Sequence, residues 1–130
     1  MALNVLIVDD SATMRHMVAR TLQMSGLALG NVAEATNGRE GLDVLEREWI
    51  DVIFVDINMP VMGGIEMIDA VRRKPELANL PIVVISTESS QTRIEEVRRR
   101  GVRFVHKPFT PECVREVIQD LTGVCHHATH

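Results

Sequence analysis

Three short apolar runs constrain this chain most: Val5-Leu6-Ile7-Val8, Val52-Ile53-Phe54-Val55 and Ile82-Val83-Val84-Ile85. Each is unbroken rather than alternating, so each predicts a strand covered on both faces. Strands buried on both sides pair in parallel, because crossover helices lie on the two faces of such a sheet. Two weaker runs, Asn31 to Ala35 and Arg103 to His106, complete a set of five.

The segments between the runs have helical spacing. Met14, Met17, Val18 and Leu22 predict one apolar face; Leu42, Leu45 and Trp49 a second; Ile65, Ile68 and Val71 a third. Ile94 and Val97 give a thin stripe. Val114, Val117, Ile118 and Leu121 line a final helix, which Thr110 can cap and Pro111 can open. The expected fold is an α/β, doubly wound, five-stranded parallel sheet of flavodoxin-like type with five helices. Its strand order, 2-1-3-4-5, is taken from that fold class rather than from the residues. The 130 residues suit one domain, expected over 1–124, with a tail at 125–130.

Each strong run stops at a polar residue. The first ends at Asp9-Asp10, the third strand at Asp56, the fourth at Ser86 and the fifth at His106-Lys107. In a parallel sheet these ends share one edge, where open α/β sheets bind ligands. A lone Asp there is ordinarily a turn former or a helix cap, and Asp9 or Asp10 could cap the first helix. Independent chance would rarely bring five such residues to the ends of four strands. Crowded carboxylates raise one another's pKa, and a hard cation such as Mg2+ relieves the crowding while attracting phosphate. An ionised carboxylate can then attack phosphorus, with Lys107 holding a phosphate oxygen as a point charge and Ser86 donating to another.

These residues sit in stretches that resemble a known family. VLIVDDSATMR (Val5 to Arg15), VDINMPVMGG (Val55 to Gly64), VISTES (Val84 to Ser89) and KPF (Lys107 to Phe109) resemble, in order, the receiver domains of two-component response regulators. The likeness covers about residues 3 to 122, and the DDSATMR stretch leans towards the CheY-like chemotaxis regulators. The resemblance implies that Asp56 is the phosphorylated aspartate. It makes Asp10 a direct magnesium ligand, Asp9 its supporting carboxylate, and Asn58 a ligand through its backbone carbonyl. Ser86 takes the hydroxyl switch position and Lys107 bridges phosphate and carboxylate. Asn58 and Glu88 are expected to tune loss of the phosphoryl group. Phe104 stands where an aromatic switch residue is often Tyr, so the hydroxyl contacts of Tyr are lost.

The implied function is a phosphoacceptor switch, not an enzyme acting on external substrates. It would take its phosphoryl group from a histidine kinase or a phosphotransfer protein. It would then repack the surface of helix four, strand five and helix five for a separate downstream protein, such as a flagellar motor switch component. That surface alternates Arg93, Arg98, Arg99, Arg100, Arg103 and Arg115 with Glu95, Glu96, Glu112 and Glu116. A phosphate sink or relay role would use the same residues. A small aspartyl-phosphate phosphatase would carry an Asp-X-Asp pair, whereas the aspartates here are adjacent. A flavodoxin-like FMN carrier would want Ser, Thr and Gly after strand one, not acids.

Charge and composition narrow the setting. A formal charge of -4 disfavours nucleic acid as partner. No window nears the roughly 20 apolar residues of a membrane span, and no basic stretch precedes the first apolar run, so a cytoplasmic protein is expected. Cys113 and Cys125 are expected to remain unpaired thiols, and Cys125, His126, His127 and His130 to form no structured metal site. His16 and His106 are read as surface or packing residues.

Overall fold

The structure is a computed structural model that describes residues 2–87, 89–107 and 109–122. Five strands alternate with five helices: β1 (Leu3–Val8), α1 (Ala12–Met24), β2 (Leu29–Ala35), α2 (Gly38–Arg47), β3 (Val52–Val55), α3 (Gly64–Arg72), β4 (Ile82–Ser86), α4 (Gln91–Arg98), β5 (Arg103–His106) and α5 (Pro111–Thr122). A turn of 3-10 helix at Pro75–Leu77 precedes β4. The strands form one parallel sheet in the order β2-β1-β3-β4-β5, as expected.

The unbroken apolar runs have a simple physical origin. Successive strand side chains point to opposite faces. Leu6, Val8, Ile53, Val55, Ile82 and Val84 enter one core layer, which they share with Val44, Met67, Ile68, Val71 and Val97 of α2, α3 and α4. Val5, Ile7, Val52, Phe54, Val83 and Ile85 enter the other, with Val18 and Leu22 of α1 and Val114, Val117 and Ile118 of α5. Both faces of the three central strands are thus closed to water. The edge strand β2 starts at Leu29, two residues before the sequence pattern suggests, and only Ala35 in it is buried. One open side removes the need for apolar residues, so its start leaves little trace.

Two expected helix faces need correction. Met17 is exposed, because one residue's step from Val18 turns it about 100° out of the buried stripe. Trp49 lies beyond α2: the chain becomes extended at Glu48, which breaks the spacing from Leu42 and Leu45, and the ring stands in solvent. Val44 fills the buried position on that helix instead. The first helix is capped by Ser11, whose Oγ accepts from the Met14 N–H at 3.2 Å, and by neither aspartate. Thr110 acts as expected on α5, its Oγ1 accepting from the Cys113 N–H at 3.1 Å. Cys113 is a free, half-buried thiol. Cys125 and the tail histidines lie outside the described residues, as does the division at 124. Among the described residues, no helix is long and apolar enough to cross a membrane.

Candidate functional site

The carboxyl ends of β1 and β3 are neighbours, paired Val8 to Val55, and the Asp56 N–H donates to the Val8 carbonyl at 3.1 Å. That pairing carries Asp9 and Asp56 side by side off the sheet edge. One oxygen from each of Asp9, Asp10 and Asp56 lies within 4.8 Å of the others. Asp9 is buried, Asp56 half-buried and Asp10 exposed. The cluster therefore opens to solvent through Asp10.

Each wall of the crevice is held locally. Asp9 Oδ1 accepts from the Ser11 N–H at 2.9 Å, and Asp56 Oδ1 from the Ile57 N–H at 2.8 Å. Burial is the largest influence on Asp9 and raises its carboxyl above the usual range. Asp56 and Asp10 push the same way; the Ser11 N–H and Lys107 oppose them. Lys107 follows β5, and its Nζ approaches Asp9 Oδ2 to 3.8 Å. The Lys107 N–H also donates to the Ser86 carbonyl at 2.9 Å, which ties the ends of β4 and β5 together. Ser86 is buried and stands opposite His106 in the sheet register.

Phe104 pairs with Val84 and is half-buried against the α2–α3–α4 core layer. Its ring lies 6.3 Å from that of the exposed His106, tilted by 51°. Asn58 is exposed, and its Oδ1 accepts from Arg93 Nη2 at 3.3 Å. Glu88 lies outside the described residues. The structure thus gathers Asp9, Asp10, Asp56 and Lys107 around one crevice, with Ser86 at the adjoining strand end.

Three features of the site escape sequence reading. Arg15 of α1 donates to the Asp9 backbone carbonyl at 2.7 Å and pairs with Glu34 of β2 at 2.7 Å, which clamps the β1 end. Arg93 joins α4 to the β3–α3 loop through Asn58. Gly64 packs so tightly that a Cβ there would meet the Asp56 carbonyl oxygen at 2.3 Å. Only the run of glycines at 63 and 64 hints at the last; the arginines make long-range contacts with no local signal.

The arginine-rich surface expected on α4, β5 and α5 is also partly self-engaged. Arg100 makes two bonds to Asp69 of α3, and Arg103 pairs with Asp120 of α5. Arg98, Arg99 and Arg115 are exposed.

The donor set suits a hard divalent cation: three carboxylates converge, one of them buried and strained by its neighbours, with water access at Asp10. Residues 5–119 match the response regulator receiver domain family. A chemotaxis protein CheY homolog of Campylobacter jejuni is 35% identical over 93% of this chain and 93% of its own length. The chemotaxis protein CheY of Pseudomonas aeruginosa is 36% identical over 92% of this chain and 95% of its own. The solved structure of the chemotaxis response regulator CheY4 of Vibrio cholerae is 38% identical, with a TM-score of 0.80 over 93% of this chain and 99% of that one. A putative response regulator from Chloroflexus aurantiacus shares the fold, with a TM-score of 0.85 over 95% of this chain and 99% of that one, at 23% identity. With its sheet order, its acidic crevice and these likenesses along nearly its whole length, the chain belongs to the response regulator receiver domain family.

Proposed function

We propose that this receiver domain is a chemotaxis response regulator that accepts a phosphoryl group on Asp56 from a histidine kinase or phosphotransfer protein. The observation that carries the reading is the meeting of Asp9, Asp10 and Asp56 within 4.8 Å, with Lys107 reaching into the same crevice. The relatives named as chemotaxis proteins support the biological setting.

Receiver domains of this family use Mg2+, and here Asp9, Asp10, Asp56 and the Asn58 backbone would hold it; when bound it offsets the negative charge of a transferring phosphoryl group. The chain's own residues do the rest. The Ile57 N–H holds Asp56 Oδ1 and leaves Oδ2 to form the new O–P bond. The P–N bond of a phosphohistidine donor breaks as that bond forms, and the leaving imidazole keeps the bonding pair. Lys107 holds a phosphoryl oxygen by charge, and the Ser86 hydroxyl donates to another. Drawing Ser86 towards Asp56 opens space beside Phe104, whose half-buried ring then moves inward. The α4–β5–α5 surface repacks for a downstream partner such as a flagellar motor switch component. Asn58 and Glu88 tune hydrolysis of the acyl phosphate. The unit comprises residues 1–124, followed by a tail.

The test is incubation with acetyl phosphate and magnesium, read by intact mass. One phosphoryl group is expected, lost in Asp56→Ala and on chelation. Labelling of the alanine variant to the same extent rejects the reading.

A further inference from the structure

The chain's single tryptophan stands far from the acidic crevice. Trp49 is 78% exposed, an unusual position for so large a ring. It is also held in place. Its indole N–H donates to Asp51 Oδ1 at 2.9 Å, while Asp51 Oδ2 accepts from the Asn4 N–H at 2.8 Å. Asp51 is thereby fixed to the start of β1, and the ring is pre-organised facing water.

Beside the ring runs an open groove. Leu45, Ile50, Pro75, Leu77 and Leu80 line it with Trp49 and the polar Asn79, so its floor is mostly apolar. Its charged lining residues are both acids, Glu48 and Glu76. The neighbouring cations are engaged: Lys74 pairs with Glu46 at 3.5 Å, and Arg72 donates to the Leu77 and Leu80 carbonyls at 3.4 and 2.8 Å. An apolar floor, an immobilised aromatic ring and an acidic rim define a complementary ligand: an apolar side chain flanked by cations. The apolar group would fill the groove, and Arg or Lys would meet the carboxylates and the face of the indole.

We propose that this groove docks a segment of a separate protein that presents an apolar side chain between arginines or lysines. The groove sits at the amino ends of β3 and β4, because Ile50 precedes β3 and Leu80 precedes β4. Asp56 follows the carboxyl end of β3, about four strand residues or roughly 13 Å further along. Docking at the opposite end from the acidic crevice is therefore independent of phosphorylation. It is a standing tether, distinct from a surface that responds to the switch.

The lone tryptophan makes the test direct. The intact protein is titrated with a synthetic peptide alternating Leu and Arg, with Leu/Glu and Ser/Arg peptides as counterparts. The Leu/Arg peptide is expected to shift Trp49 emission to the blue, saturably, and to weaken in 0.5 M salt. By calorimetry, Trp49→Ala weakens binding at least tenfold, Trp49→Phe less, and the Glu48→Gln/Glu76→Gln pair at least threefold. Phosphorylating the intact protein with acetyl phosphate and magnesium leaves the affinity unchanged, and an affinity that moves with phosphorylation rejects the standing tether. Circular dichroism checks that the variants fold, and phosphorylation of Trp49→Ala separates failure here from failure of the switch itself. Equal binding by the Ser/Arg peptide, equal binding to Trp49→Ala, or no change in emission at millimolar peptide overturns the proposal. So does concentration-dependent self-association that buries Trp49, which assigns the groove to a second copy of the chain.

Discussion

Lys107 Nζ stands 3.8 Å from Asp9 Oδ2, and both side chains are largely closed to solvent, at 14% and 7% exposure. The distance is long for a hydrogen bond, so the contact is a charge pair across the crevice. It does not offset the cost of burying Asp9 beside Asp56 and Asp10, since the Asp9 carboxyl remains above its ordinary range. The receiver is thus held under electrostatic strain that a cation would relieve.

Asp9→Asn follows from that strain. The amide oxygen keeps the Ser11 N–H bond and removes one buried charge. In the presence of chelator the variant is expected to be more stable by about 1 kcal/mol in urea denaturation. With magnesium the order reverses. The parent gains up to ~2.7 kcal/mol at a hundredfold excess over Kd, and the variant gains little. A variant that is destabilised under both conditions would show that Asp9 carries no such strain.

Arg100 grips Asp69 through Nε at 2.7 Å and Nη2 at 3.2 Å, and joins the end of α4 to α3. The guanidinium holds the Asp69 carboxyl below its ordinary range, chiefly by hydrogen bonding. A depressed carboxylate contributes stability above its unfolded pKa, about 3.9, and loses it as pH falls through the lower folded value. The pair is partly exposed, which limits it to about 0.5–1 kcal/mol. Asp69→Asn should cost that much at pH 7 and progressively less below about pH 4. A cost that is constant from pH 7 to pH 3 contradicts the assignment.

How far the chain's letters reveal all this depends on how local each cause is. Val5 to Val8 and Val52 to Val55 are legible as central strands because burial on both faces admits no polar residue. Their ends then place Asp9, Asp10 and Asp56 on one edge as a matter of topology. The start of β2 is hidden because its outer side faces water, and Trp49 misleads because the helix stops two residues earlier, at Arg47. Arg15, Arg93 and Arg100 carry no local mark: each meets a partner 6 to 35 positions away, chosen by the fold.

Val61 adopts φ +66° at the centre of a tight turn in which the Met62 N–H donates to the Pro60 carbonyl at 2.7 Å. This is the rarer, strained form of the γ-turn, and a β-branched residue suits it poorly. The side chain is 82% exposed and packs on nothing that would be lost. Val61→Gly should therefore stabilise the protein by about 0.5–1 kcal/mol, net of glycine's greater unfolded freedom. Thermal unfolding checks it, and an unchanged or lowered midpoint counts against strain at this turn.

Gly64 shows how closely the end of β3 is packed. Its N–H donates to the Ile57 carbonyl at 2.9 Å, which starts α3 directly beneath the Asp56–Ile57 peptide. A methyl group on Gly64 would meet the Asp56 carbonyl oxygen at 2.3 Å and the Ile57 Cα at 3.0 Å, both backbone atoms with no rotamer to yield. Gly64→Ala therefore forces the β3–α3 loop away from α3, at a cost of about 1–3 kcal/mol. Since that peptide bears the Asp56 side chain and the N–H that holds its Oδ1, the same shift should slow phosphorylation by acetyl phosphate by tenfold or more. Gly63→Ala offers the comparison, because its Cβ would meet the Ile57 carbonyl at 3.0 Å without touching Asp56. Equal labelling rates for the two variants would show that the close approach at Gly64 does not position the acceptor.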